Sequence, residues 1–300
     1  MTQEEITELC ADFGGYINAE DQSGSNPLLT SVIMNRPDIL EQLIELGADV
    51  NAKSSGGHTA LTFAAMMSVR RDGDSTMPKK LDPEIIRLLV QNGADCQEAM
   101  IIAIKTGCDD FARIALESGA DPDITDEKGR SLVMLSVMTG GENLRTLLEH
   151  GAKPDKPDSS GKTPLMIAAI DEEAEPEVMD TLLEFGADIN ARDNRGITPL
   201  MWAVVNADKT PNMLIPALIR TGGFMAEGWE MWSAFLCLAE AAKREVQLET
   251  IRRLLQKGAD VNALDNRGMN AIMYALMNGD DEAADILAAS GAQINFDMNE

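Results

Sequence analysis

Gly186-Ala-Asp-Ile-Asn-Ala-Arg-Asp-Asn-Arg-Gly-Ile-Thr-Pro-Leu200 holds, in fifteen residues, the instructions for a turn, a projecting finger and the start of a helix. Glycine at both ends of the first eleven residues permits the positive φ that a helix C-cap or a tight turn requires. Thr198 can cap a helix through its hydroxyl, and Pro199 is pre-organised for the first helical position. Apolar residues begin at once with Leu200.

Working outward, the opening tripeptide Gly-Ala-Asp recurs at Gly47, Gly93, Gly119 and Gly258, with variants at Gly14, Gly151, Gly222 and Gly291. Successive anchor glycines lie 33, 46, 26, 32, 35, 36, 36 and 33 residues apart. A period near 33 is the signature of a solenoid of stacked supersecondary units. Ten residues after the anchor a second glycine stands in six units, at Gly24, Gly57, Gly129, Gly161, Gly196 and Gly268. A polar-to-apolar step follows, for example Asn26-Pro27-Leu28, Thr163-Pro164-Leu165 or Asn270-Ala271-Ile272. Small pairs such as Ala64-Ala65 and Ala168-Ala169 let two helices approach closely, and an apolar pair such as Leu182-Leu183 closes the second helix against its neighbour.

With turn, capped first helix, second helix and Gly-Ala-Asp in this order, the chain resembles the ankyrin-repeat family over nearly its whole length. The resemblance implies an all-α solenoid of paired antiparallel helices with short β-hairpin fingers, about eight to nine units in a single domain over residues 1–300. It also implies a protein-binding module whose finger tips and inner helices line a concave groove.

The departures from the family pattern locate specificity. The family's histidine after Thr-Pro-Leu is replaced by Met134, Met166, Met201 and Met273, a change from hydrogen bonding to apolar packing. The unit near 93–118 is short and lacks the second glycine, so its finger is expected to be missing. A second degenerate unit is expected near 222–257, where Trp229, Trp232 and Phe235 either patch the core or form an aromatic anchor. An insertion near 68–82 carries Arg70, Arg71, Lys79 and Lys80, a possible contact loop or a solvated excursion without a role.

Nineteen residues after the anchors stand Ile33, Met66, Met138, Ile170, Val205 and Met277, extended by Met34 and Met67. By the resemblance this row faces the groove; an exposed apolar stripe would be a binding surface, a half-buried one part of the core. On the fingers seven acids (Glu20, Asp21, Asp126, Glu127, Asp158, Asp193, Asp265) balance seven bases (Lys53, Lys128, Arg130, Lys162, Arg192, Arg195, Arg267). The five aspartates share a position that the family uses structurally, which leaves Arg192, Asn194, Arg195, Asn266 and Arg267 as contact candidates.

Composition bounds the rest. The chain is 44% hydrophobic and 25% charged, with only 4% aromatics but 18 methionines, which suits many small cores. A net charge of −25 repels nucleic acid and anionic lipid and favours a basic partner by steering. There is no secretory signal and no run long enough to span a membrane. Cys10, Cys96, Cys108 and Cys237 lack disulfide or metal spacing, as reduced thiols in a cytoplasmic monomer would; delivery into a host cell would leave no mark here. His58 and His150 pair with no nucleophile motif, no phosphate loop is present, and neither catalytic residues, metal nor cofactor are expected. Two readings remain: an adaptor that grips another protein in its groove, or a stoichiometric inhibitor of immunity type that blocks a basic active site with its acidic surface. Salt separates them, because steering by charge weakens with salt more than apolar docking does.

Overall fold

The computed structural model describes residues 7, 10–11, 13–21, 24–68, 81–171, 175–205 and 244–294. The chain divides into two compact units, residues 1–153 and 154–300.

The first unit contains four helix pairs: α1 (Pro27–Ile33) with α2 (Pro37–Glu45), α3 (Ala60–Ser68) with α4 (Pro83–Gln91), α5 (Gln97–Lys105) with α6 (Asp109–Glu117), and α7 (Leu132–Met138) with α8 (Leu144–Glu149). The second holds α9 (Pro164–Ile170) with α10 (Pro176–Glu184), α11 (Pro199–Val205), a helix α12 over residues 244–256, and α13 (Ala271–Met277) with α14 (Asp281–Ala289). Helices of six to thirteen residues are marginal alone in water, so each persists by burying a face. The odd-numbered helices of each unit stack on one another and the even-numbered ones lie behind them.

Local chemistry starts six of the seven odd-numbered helices as the sequence implies, while α5 has no side-chain cap at Cys96. The side chains of Asn26, Ser131, Thr163, Thr198 and Asn270 accept from backbone amides three residues on, at 2.8, 3.2, 3.4, 3.4 and 3.2 Å. Pro27, Pro164 and Pro199 occupy first helical positions. The second helices end on the anchor glycine. At Gly47, for example, φ is +92° and the Ala48 amide reaches back to the Leu43 carbonyl at 2.9 Å. Met134, Met166, Met201 and Met273 are all buried and pack the helix layers together. Leu28, Leu61, Val133, Leu165, Leu200 and Ile272 sit one residue before them or in the matching place of their helices, also buried.

Six of the seven odd-numbered helices begin thirteen residues after their anchor glycine, whereas α5 begins at Gln97, four residues after Gly93. This pair therefore has no finger. The other fingers close as reverse turns, such as Asp126 N–H to the Arg130 carbonyl at 2.9 Å, and the only β-bridge among the described residues joins Thr125 to Ser131.

One expectation changes. The helix over 244–256 was assigned by spacing to a unit opening at Gly222, yet it is the second helix of the repeat that opens at Gly186. Gln247 Nε2 donates to the Ala203 carbonyl of α11 at 2.7 Å. The next finger bonds directly to that of Gly186, with Asn266 N–H to the Arg195 carbonyl at 2.9 Å and Asp260 N–H to Asn190 Oδ1 at 2.8 Å. Residues 206–243 are thus an insertion between the two helices of one repeat. The same holds for residues 69–80 between α3 and α4. The contact candidates Trp229, Trp232 and Phe235, and Arg70, Arg71, Lys79 and Lys80, lie in these insertions and outside the described residues.

Candidate partner-binding surface

Two features of the packed repeats could meet a partner: the exposed ends of the odd-numbered helices and the fingers.

In the first unit the apolar row runs Ile33, Met66 and Met138, with exposures of 41%, 41% and 47%; Met34 beside it is 52% exposed and Met67 is half-buried. The helices that carry the row are direct neighbours in the order α1, α3, α5, α7. Helix α5 contributes an exposed Lys105 at the equivalent place, two residues before the positive-φ Gly107, as Met138 precedes Gly140. The row is therefore apolar with one cation inside it. Arg130 Nη1 touches Met138 Sδ at 3.7 Å. In the second unit Met277 is 73% exposed, while Ile170 and Val205 are half-buried. Spacing placed these residues in one row; packing of the neighbouring short helices decides how much of each is covered.

The finger aspartates turn inward. Asp193 Oδ1 accepts from the Arg195 and Ile197 amides at 2.8 and 2.9 Å, and Asp265 Oδ1 from the Arg267 and Met269 amides, both at 2.8 Å. Their side chains are 2% and 1% exposed. Burial works against the charge of Asp265, but hydrogen bonds from Tyr274, from these two amides and from Arg267 outweigh it and hold its carboxyl below the usual range. Asp126 behaves likewise: burial opposes its charge, and hydrogen bonds from Arg130 prevail.

The bases differ between the units. In the first, Arg130 grips Asp126 through Nε and Nη2 at 2.8 and 2.6 Å and is only 22% exposed. In the second, Arg195 and Arg267 lie 3.6 and 3.4 Å from their aspartates and are 61% and 71% exposed. Arg192 is exposed too. Two aromatic side chains that the sequence reading did not single out support these cations. Trp202, half-buried on α11, has Lys162 Nζ 4.0 Å and the Arg195 guanidinium 4.8 Å from its ring centre, and donates through Nε1 to Asp193 Oδ2 at 3.3 Å. Tyr274 takes the same place on α13: the Arg267 guanidinium stands 5.7 Å from its ring, and its hydroxyl donates to Asp265 Oδ2 at 2.6 Å. Both aromatics follow their anchor glycine by sixteen residues, the signal that could have found them.

Asn194 and Asn266, both exposed, also bond to neighbouring fingers. Their side-chain amides donate along the stack, Asn194 to the Ser159 carbonyl at 3.3 Å and Asn266 to the Asn194 carbonyl at 3.1 Å. They hold finger to finger.

A relay at the base of the fingers was also missed. Four residues after the anchor, the side chains of Asn18, Asn51, Asp155, Asn190 and Asn262 each accept a backbone amide from the following repeat, at 2.7–3.0 Å. Asn18, Asn51 and Asn262 also donate to the next anchor glycine carbonyl, at 3.4, 3.0 and 3.1 Å. Asp155 cannot donate when ionised, and burial, with Asp188 nearby, pushes its carboxyl up despite the bond from the Asp188 amide.

Among the described residues, no group of three or more His, Cys, Asp or Glu could hold a metal ion. Burial, with Asp95 beside it, pushes the Cys96 thiol up to about 11, which keeps it from acting as a thiolate nucleophile. No described helix is long and apolar enough to cross a membrane.

Ankyrin-repeat family models match residues 23–55, 77–158, 99–193, 134–221 and 238–288. Among curated proteins, the chain is 40% identical over 95 residues to the ankyrin repeat and SOCS box protein 6 of Pongo abelii, and 39% to that of Homo sapiens. Each alignment covers 31% of this chain and 21% of the relative. It is 27% identical over 140 residues to the ankyrin repeat protein nuc-2 of Neurospora crassa, covering 37% of this chain and 13% of that one. The alignments thus span a small part of each relative and concern the repeats. Family models along the chain, capped helix pairs and a stack held finger to finger agree: the chain belongs to the ankyrin-repeat family.

Proposed function

We propose that this chain binds another protein through the exposed ends of its odd-numbered helices, with the arginine-bearing fingers of the second unit as a polar rim, and that it does so as a monomer. Ankyrin repeats generally mediate protein–protein interaction. The observation that carries the finer reading is the exposure of Ile33, Met66, Met138 and Met277, all at one position of the repeat. Large apolar side chains exposed at the same position of successive repeats are what an interface core uses, and methionine adapts its shape to a partner. Covering what remains exposed of one such side chain contributes about 1 kcal/mol. The groove residues are then Ile33, Met34, Met66, Met67 and Met138 in the first unit, and Ile170, Val205 and Met277 in the second.

The test is capture of partners from native lysate with the wild type and with the triple variant Met66→Glu, Met138→Glu, Met277→Glu. The variant keeps its helical circular dichroism, because all three positions are exposed, and loses the captured partner. Capture undiminished in the triple variant removes the row from the interface. Sedimentation checks the monomer.

A further inference from the structure

We infer that the fingers of the second unit recognise an acidic peptide segment of the partner, laid across Lys162, Arg195 and Arg267. The inference rests on the protein-binding reading above and names the chemistry of one part of that interface.

Residue counts suggest the opposite, since the chain carries −25 overall and its fingers hold equal numbers of acids and bases. Orientation breaks this balance. In the second unit, Asp193 and Asp265 are almost wholly buried, and their oxygens already accept backbone amides, the Trp202 ring N–H and the Tyr274 hydroxyl. Asp158 accepts the Ser160 and Lys162 amides at 2.8 and 3.0 Å in the same way. A partner reaching these fingers meets the exposed Arg195 and Arg267 and the half-buried Lys162 instead. Within contact range that arrangement matters more than the distant acidic surface, which salt screens beyond about 8–10 Å.

The three cations are also in register. Finger joins finger through Asn194 N–H to the Ser160 carbonyl at 3.2 Å and Asn266 N–H to the Arg195 carbonyl at 2.9 Å. Lys162, Arg195 and Arg267 each follow one of these joined residues closely, so they are borne by three consecutive fingers. The ring of Trp202 steadies two of them and that of Tyr274 the third. An arginine held on an aromatic face loses less freedom on meeting a carboxylate and keeps its planar fork of donors. In the first unit, by contrast, Arg130 is closed in a two-point pair with Asp126. In the second unit Arg195 stands 3.6 Å from Asp193 without closing on it, and Arg267 donates through Nη2 to the Tyr274 hydroxyl and through Nε to Asp265 at 3.4 Å, yet both side chains stay more than half exposed.

The test uses the full chain and fluorescence anisotropy of two labelled peptides of equal length, one alternating glutamate and serine and one alternating lysine and serine. The acidic peptide binds, its affinity falls as salt rises, and Arg195→Glu with Arg267→Glu weakens it by about tenfold or more. A control double variant, Lys53→Glu with Lys128→Glu, changes the net charge equally but on the fingers of the first unit, and leaves binding within about twofold after the same small field effect. Lack of binding by the acidic peptide, or equal losses in the two double variants, overturns the inference. The methionine triple variant keeps the arms apart: if it loses the native partner while the acidic peptide fails to bind wild type, only the finger chemistry is wrong.

Discussion

The backbone of Asn266 lies against Gly196 so closely that a Cβ built on the glycine would stand 2.6 Å from Asn266 Oδ1 and 2.9 Å from its amide nitrogen. Gly161 meets Asn194 in the same way, at 2.5 and 2.7 Å. The second glycine of the finger thus serves two needs, positive φ and finger-on-finger contact. At Gly57 only the first survives, because the pair opening at Gly93 has no finger, and a Cβ there meets nothing within 4 Å.

Gly57→Ala and Gly196→Ala separate these needs, since φ is +81° and +79°. Gly57→Ala costs about 1–2 kcal/mol for left-handed backbone alone. Gly196→Ala costs a further ~1–3 kcal/mol for the clash with Asn266. Urea unfolding of the two variants reads the difference directly; equal losses would show that the fingers separate without cost.

Asp155→Asn tests the relay. Asparagine keeps the acceptor for the Asp188 amide and adds a donor for the Gly186 carbonyl, as Asn51 does for Gly93. The folded state holds the Asp155 carboxyl above its usual range, so ionisation disfavours folding as pH rises through that raised value. The variant is accordingly more stable than wild type at neutral pH, by about 1 kcal/mol. The gain shrinks under acid, where Asp155 is protonated in both states. Thermal melts across that pH range decide it, and a gain that grows under acid contradicts the assigned cause.

Arg244→Ala and Arg252→Ala ask what fixes the second helix of the interrupted repeat. Arg244 holds Asp280 in a two-point pair at 2.5 and 3.2 Å, and Asp280 is 2% exposed while capping α14. Arg252 pairs only with the exposed Glu245 and Glu249. Removing Arg244 leaves a buried carboxylate uncompensated and costs about 2 kcal/mol after allowance for its own exposure. Removing Arg252 costs no more than about 0.5 kcal/mol. Denaturant midpoints that fall equally would refute the distinction.

The repeat was legible because its devices are local: a capping Thr, Ser or Asn, a proline after it and a glycine at a set distance act on their own neighbours. The missing finger after Gly93 followed from the same counting. What counting missed depended on which elements pair in space. Gly222 stands thirty-six residues after Gly186 and mimics an anchor, but only the bond from Gln247 to Ala203 shows that α12 completes the earlier repeat. Finger charges cancelled on paper because a sequence does not say that Asp193 turns inward and Arg195 outward. Trp202 carried no local signal of its role, since the cations over it come from two different fingers.

Tyr274→Phe removes the one hydroxyl that reaches Asp265, together with the hydrogen bond that hydroxyl accepts from Arg267, and leaves the ring under Arg267. The phenol proton is well held: burial and the Asp265 carboxylate both push the Tyr274 hydroxyl above its usual range, against the pull of Arg267. Losing this 2.6 Å bond to a buried carboxylate costs about 1–3 kcal/mol at neutral pH. Asp265 sits below the usual carboxylate range, so its contribution is complete above a pH of about 4 and is lost as pH falls through its folded value. In the variant that value moves up towards the ordinary one, and the acid-sensitive share of stability diminishes. Wild type and variant therefore differ most at neutral pH and converge under strong acid, where Asp265 is protonated in both. Melting curves of the two proteins, compared over that range, check the sign; a gap that widens on acidification would assign the effect to lost packing and not to the hydrogen bond.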